Sequence, residues 1–99
     1  MSKTPDNHAT VHAQKEVTVQ NKLGIHARPA SKFVRIASRY QSEILVEKDG
    51  DTVNGKSIMG LMMLAAGPGS RLRLVADGAD ADQALRELED LINRKFEED

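Results

Sequence analysis

The period of the apolar residues changes from segment to segment along this chain, and that alternation limits its fold most. In residues 15–21 (KEVTVQN), Val17 and Val19 fall on one face and Thr18 and Gln20 on the other, the period of a half-buried strand. From Ala30 the spacing becomes helical, through Phe33, Val34, Ala37 and Tyr40. Pro29 stands near the start, where a missing N–H costs nothing, so a helix is expected from just after His26 to about Tyr40. Residues 43–48 (EILVEK) read as a second strand. Asp49-Gly50 is a hairpin turn, and residues 51–53 form a short third strand ended by Asn54-Gly55. KSIMGLMMLAA reads as a short helix with Ser57 as its N-cap, although Gly60 inside it weakens the pattern. Gly67-Pro68-Gly69 breaks the chain. Residues 70–76 alternate again, with Leu72 and Leu74 inward and Arg71 and Arg73 outward. Asp80 then caps a last helix that buries Ala84, Leu85, Leu88, Leu91, Ile92 and Phe96.

The resulting order is β-α-β-β-α-β-α. The strands alternate rather than running continuously apolar, so one face of the sheet is wet. The residues therefore predict an α+β two-layer sandwich, an antiparallel sheet with helices packed on its other face. With 99 residues, of which 39% are hydrophobic, the chain fills one modest core and not two.

The ends carry no such period. Residues 1–14 are polar and are expected to form a disordered extension, with the folded domain over residues 15–96. His8 and His12, four apart, fit either a solvated segment or one helix face sharing a metal. Nothing else nearby organises a metal site, so none is assigned. Residues 97–99 (Glu97-Glu98-Asp99) place negative charge at the negative end of a helix dipole and are expected to fray.

Composition removes several function classes. The absence of Cys excludes a disulfide scaffold and any thiolate metal site. A net charge of −1 lacks the basic excess that non-specific nucleic-acid binding requires. No apolar run approaches the roughly 20 residues that span a bilayer, and the first residues have no apolar h-region. A monomeric cytoplasmic protein is expected, with no membrane insertion and no nucleic-acid partner.

His26 is the first residue pointing to chemistry. It lies between Gly24 and Arg28, just before a helix. A helix start offers unpaired N–H groups and the positive end of the dipole, a ready anion site. The same field disfavours a charged imidazole, and a neutral one keeps a ring nitrogen able to act as nucleophile. Arg28 adds a guanidinium suited to phosphate oxygens. The set suits a histidine that receives a phosphoryl group and passes it on. No acid–base pair, dense carboxylates or Walker-type loop suggests hydrolysis. The bland alternative is a surface histidine that merely caps the helix.

GIHARPASKFV resembles the active-site segment of the HPr family, the histidine phosphocarriers of the bacterial phosphoenolpyruvate-dependent phosphotransferase system. VNGKSIMGLMML resembles the family's regulatory-serine segment, and GPGSRLRLVADGADADQAL its last strand and helix. The resemblance covers about residues 15–96. It implies an HPr-like open-faced sandwich of four antiparallel strands with three helices on one face. It also implies that His26 takes a phosphoryl group on Nδ1 from phosphorylated enzyme I and gives it to IIA domains of sugar permeases. Such a protein is a carrier rather than a free-standing enzyme, and needs no cofactor. Arg28 matches the family's active-site arginine, and the backbone amides of Ala27 and Arg28 would hold phosphate oxygens. Leu23 departs from the small polar residue that many relatives carry before the glycine, which removes a side-chain phosphate contact there.

By the same resemblance Ser57 is a site for HPr kinase, besides being a cap. A phosphate at a helix N-terminus is electrostatically welcome, so it would leave the fold intact while repelling an acidic partner. Ile58, Met59 and Met62 lie on a helix too short to bury every side, and are expected to form a soft docking patch for several partners, rimmed by Lys32, Arg35 and Lys56. Three other functions compete. One is a carrier of the nitrogen-related branch. Another is a regulatory module acting mainly through phosphorylated Ser57. The third, an acyl-phosphate hydrolase, would need a water-orienting asparagine, and neither Asn21 nor Asn54 has an evident partner.

Overall fold

The computed structural model describes residues 11–98. Its elements are β1 (Val11–Thr18), α1 (Ala27–Ala37), β2 (Glu43–Lys48), β3 (Asp51–Asn54), α2 (Ile58–Met63), β4 (Arg71–Gly78) and α3 (Ala81–Asn93). The strands form one antiparallel sheet in the order β1-β4-β2-β3. The expected α+β open-faced sandwich is thus the observed one. Val17, Val19, Ile44, Val46, Leu72, Leu74 and Ala76 turn inward and share a single core with the apolar faces of the helices. Phe33 of α1 and Leu88 and Ile92 of α3 are among its largest fully buried members.

The strand expected from Lys15 begins at Val11, so residues 11–14 belong to the sheet and not to an extension. Val11–Gln14 pair with Val75–Gly78, and β4 itself runs two residues past Ala76. Backbone pairing holds this stretch, with its side chains largely exposed, and so no alternation announces it. His12 extends from the strand and pairs through Nδ1 with Asp77 Oδ1 at 2.5 Å. The pairing of His8 with His12 on a metal lies outside the described residues.

Three local differences bear on the site. Helix α1 ends at Ala37, and Tyr40 lies beyond it, half-buried, its hydroxyl donating to Glu87 of α3. Asp80 stands at the N-cap of α3, but its carboxylate makes no cap bond. It accepts from the amides of Gln41 (2.9 Å) and Ser42 (3.0 Å) and from the Ser42 hydroxyl, tying the α1–β2 loop to the start of α3. Hydrogen bonds from Ser42 and Gln41 outweigh desolvation and hold the Asp80 carboxyl below its ordinary value.

The acidic end does not fray over its described part. Lys95, Phe96 and Glu97 all take left-handed backbone, at φ 58°, 55° and 62°, and turn the chain away from the axis of α3. Phe96 is fully buried, so core packing anchors the turn. Glu97 and Glu98 thereby leave the negative end of the helix dipole and meet cationic or donor side chains instead.

Candidate phosphoacceptor site

The loop before α1 is built by backbone geometry. Gly24 has φ +68°, and its bare Cα lies against Ala66. The next amide, Ile25 N–H, donates to Ala66 O at 2.8 Å. Asn21, fully buried, donates from Nδ2 to Gly24 O at 2.8 Å. The segment between β1 and α1 is therefore clamped to the loop after α2, which fixes where α1 begins.

His26 occupies the N-cap position of α1 with extended backbone, but its imidazole makes no cap bond. The helix-capping alternative is not what this side chain does. Its Nε2 lies 3.2 Å from one Glu98 oxygen and 3.4 Å from the other. The sequence showed no dense carboxylates at His26, and the turn at residues 95–97 brings one there from 72 positions away. While Nε2 is so engaged, Nδ1 makes no hydrogen bond among the described residues. Ala27 and Arg28, both exposed, form the first turn of α1, whose amides have no partner within the helix. Arg28 shares a shallow cleft with Lys22, Leu23, Lys32, Glu97 and Glu98, beside a second depression lined by His26, Ala27, Ser31 and Arg35.

A family profile described as "PTS HPr component phosphorylation site" matches residues 13–94. The chain is 52% identical over 85 residues to the phosphocarrier protein HPr of Neisseria meningitidis, covering 86% of this chain and 96% of that one. The chain belongs to the HPr family. An HPr-like protein Crh from Halalkalibacterium halodurans is also 52% identical, over 76% of this chain and 89% of that relative. The solved structure of HPr from Thermoanaerobacter tengcongensis superposes with a TM-score of 0.85 at 46% identity, covering 88% of this chain and 98% of that one.

The second HPr-like segment is as local as the sequence implied. Ser57 is the N-cap of α2, and its Oγ accepts from Gly60 N–H at 3.0 Å. Gly60 has a packing reason within this helix. A Cβ there would stand 3.3 Å from both Ser57 Oγ and Val53 Cβ of β3, so the missing side chain lets α2 lie close. Leu61 and Leu64 are buried, while Ile58, Met59, Met62 and Met63 are exposed, Met59 by 72%. Leu23, 71% exposed, adds a further large apolar side chain on the surface.

The expected basic rim is partly committed elsewhere. Lys32 Nζ donates to Phe96 O at 2.8 Å, and Lys56 Nζ donates to Tyr40 O at 2.8 Å. Arg35 is exposed. Neither asparagine is set up to orient a hydrolytic water. Asn21 is buried with Nδ2 shared between Gly24 O and Glu98, and Asn54 Oδ1 accepts from Lys56 N–H at 2.8 Å. Sequence reasoning missed the roles of Asn21 and Glu98. The signal available was only a polar Asn a few residues beyond the Val17/Val19 alternation, which is common where a strand gives way to a loop.

Proposed function

We propose that this HPr-family chain accepts a phosphoryl group on His26 Nδ1 from phosphorylated enzyme I and passes it to IIA domains serving sugar uptake. The observation that carries this is the placing of His26 at the start of α1 with Nε2 occupied and no cap bond made. On uptake a new N–P bond forms at Nδ1 as the donor's bond to phosphorus breaks; on onward transfer the Nδ1–P bond breaks as the acceptor's bond forms, and the Nε2 proton stays in place throughout. The amides of Ala27 and Arg28 and the Arg28 guanidinium receive the phosphate oxygens, as helix N-termini and guanidinium groups do. Exposure of His26 and Arg28 keeps the group available to the next protein. Ile58, Met59 and Met62 form the docking patch, and the work is cytoplasmic.

Ser57 adds regulation by an HPr kinase. A phosphate on Oγ would sit at the N-terminus of α2, favourable for the helix and repulsive to an acidic phosphorylated partner. A second reading is a regulatory module that acts chiefly through Ser57, whose Oγ stands at the N-terminus of α2 beside the exposed Ile58 and Met59.

Intact mass decides between them. After incubation with phosphoenolpyruvate and enzyme I, one phosphoryl group is expected, lost on brief acid treatment and absent from His26→Ala. Mass gain only with ATP and HPr kinase, stable in acid and lost in Ser57→Ala, would establish the regulatory module instead.

A further inference from the structure

Glu98 reaches His26 because three separate restraints hold it there. Phe96 is buried, and its carbonyl accepts from Lys32 Nζ at 2.8 Å. Three successive non-glycine residues hold left-handed backbone between α3 and Glu98, a conformation that persists only where the surroundings over-determine it. Asn21 Nδ2 then donates to Glu98 Oε1 at 3.0 Å from a fully buried side chain, which the Gly24 carbonyl orients in turn. The Glu98 side chain is only 17% exposed against 39% for His26, so the carboxylate is the more enclosed partner. Its surroundings raise its pKa by desolvation, but hydrogen bonds from Asn21 and His26 and the charges of His26 and Lys32 prevail and lower it. It is a carboxylate at neutral pH.

We propose that Asn21 and Glu98 are positioning residues for the phosphoryl transfer, holding His26 with its proton on Nε2 and the Nδ1 lone pair bare and aimed along the α1 start. This rests on His26 being the phosphoacceptor. The logic is that of a nucleophile oriented by a carboxylate that is itself oriented by a third group. When Nδ1 carries phosphorus, the imidazole shares positive charge with Nε2–H, and Glu98 stabilises that form. Neither residue touches the transferred group.

The test begins on unphosphorylated protein labelled with 15N in its histidines, at a pH where the imidazoles are neutral. The wild-type His26 ring is expected as a single Nε2–H tautomer. In Glu98→Ala it relaxes towards the mixture measured for a blocked histidine amide. A wild-type ring already at that mixture, or superimposable spectra of the two proteins, overturns the proposal. Transfer kinetics from enzyme I supply the second arm. Glu98→Ala is expected to lower the maximal rate about tenfold with KM unchanged, and Glu98→Gln, whose amide oxygen still accepts, to recover most of it. Equal loss in both variants, or a change in KM alone, overturns the positioning role. Asn21→Ala removes a buried clamp from the fold, so Glu98 carries the test. Failure of wild-type protein to gain an acid-labile phosphoryl group would sink the carrier reading while leaving the tautomer measurement interpretable.

Discussion

A Cβ added to Gly24 would lie 2.3 Å from the carbonyl oxygen of Ala66, closer than any side chain tolerates. The same carbonyl accepts from Ile25 N–H at 2.8 Å, so the approach of these two backbones sets the height of the His26 loop over the core. Gly24→Ala combines a left-handed backbone at φ +68° with a clash against main chain. We predict a loss of about 2–4 kcal/mol, from strain and overpacking together. Urea unfolding measures it, and a midpoint within error of wild type would refute the clamp.

Arg28 is exposed, and it makes no hydrogen bond or ion pair among the described residues. Arg28→Ala should therefore change stability by no more than about 0.5 kcal/mol. Phosphoryl uptake from enzyme I should fall at least about tenfold, since a charge-assisted contact to phosphate is worth roughly 1.5–3 kcal/mol. Stopped-time phosphorylation beside a thermal melt separates the two, and a large drop in melting temperature would show that Arg28 is structural.

Met59 is 72% exposed on α2. Met59→Glu should leave the melt unchanged and weaken binding to enzyme I and to IIA domains together, by about tenfold or 1.4 kcal/mol each. Calorimetric titration with each partner checks this. Unchanged affinity for both removes Met59 from the docking surface.

Asp80 binds the α1–β2 loop through Gln41 and Ser42, and its carboxyl titrates below its ordinary value of 3.8. A carboxyl whose pKa is depressed in the folded state contributes stability that is fully present above the unfolded value and is lost as pH falls through the folded one. Asp80→Asn should thus be less stable than wild type at pH 7, by about 1–3 kcal/mol. The gap should narrow below pH 3.8, as wild-type Asp80 itself protonates. Denaturation of both proteins across that range is the measurement, and a gap that stays constant to low pH would show that Asp80 acts through shape rather than charge.

Local spacing made most of the elements legible. Val17 and Val19, or Leu72 and Leu74, declare strands because side chains alternate every residue, and Ala30 to Ala37 declare a helix because side chains return every turn. His26 at a helix start and Ser57 as a cap were equally legible, since a cap depends on residues three positions away. Asp80 shows the limit of such reasoning. Its place before α3 was readable, but its partners are Gln41 and Ser42, brought near by the fold.

What the sequence alone determined is therefore the list of elements, their amphipathic faces and the chemistry offered at two helix starts. The tertiary structure decided the order β1-β4-β2-β3, in which the last strand enters between the first two in sequence. It also decided that Asn21 meets Glu98 across 77 positions and that Glu98 meets His26. No periodicity encodes such contacts. They arise because Phe96 is worth more buried in the core than extended along α3, and burying it turns the last described carboxylate back onto the histidine.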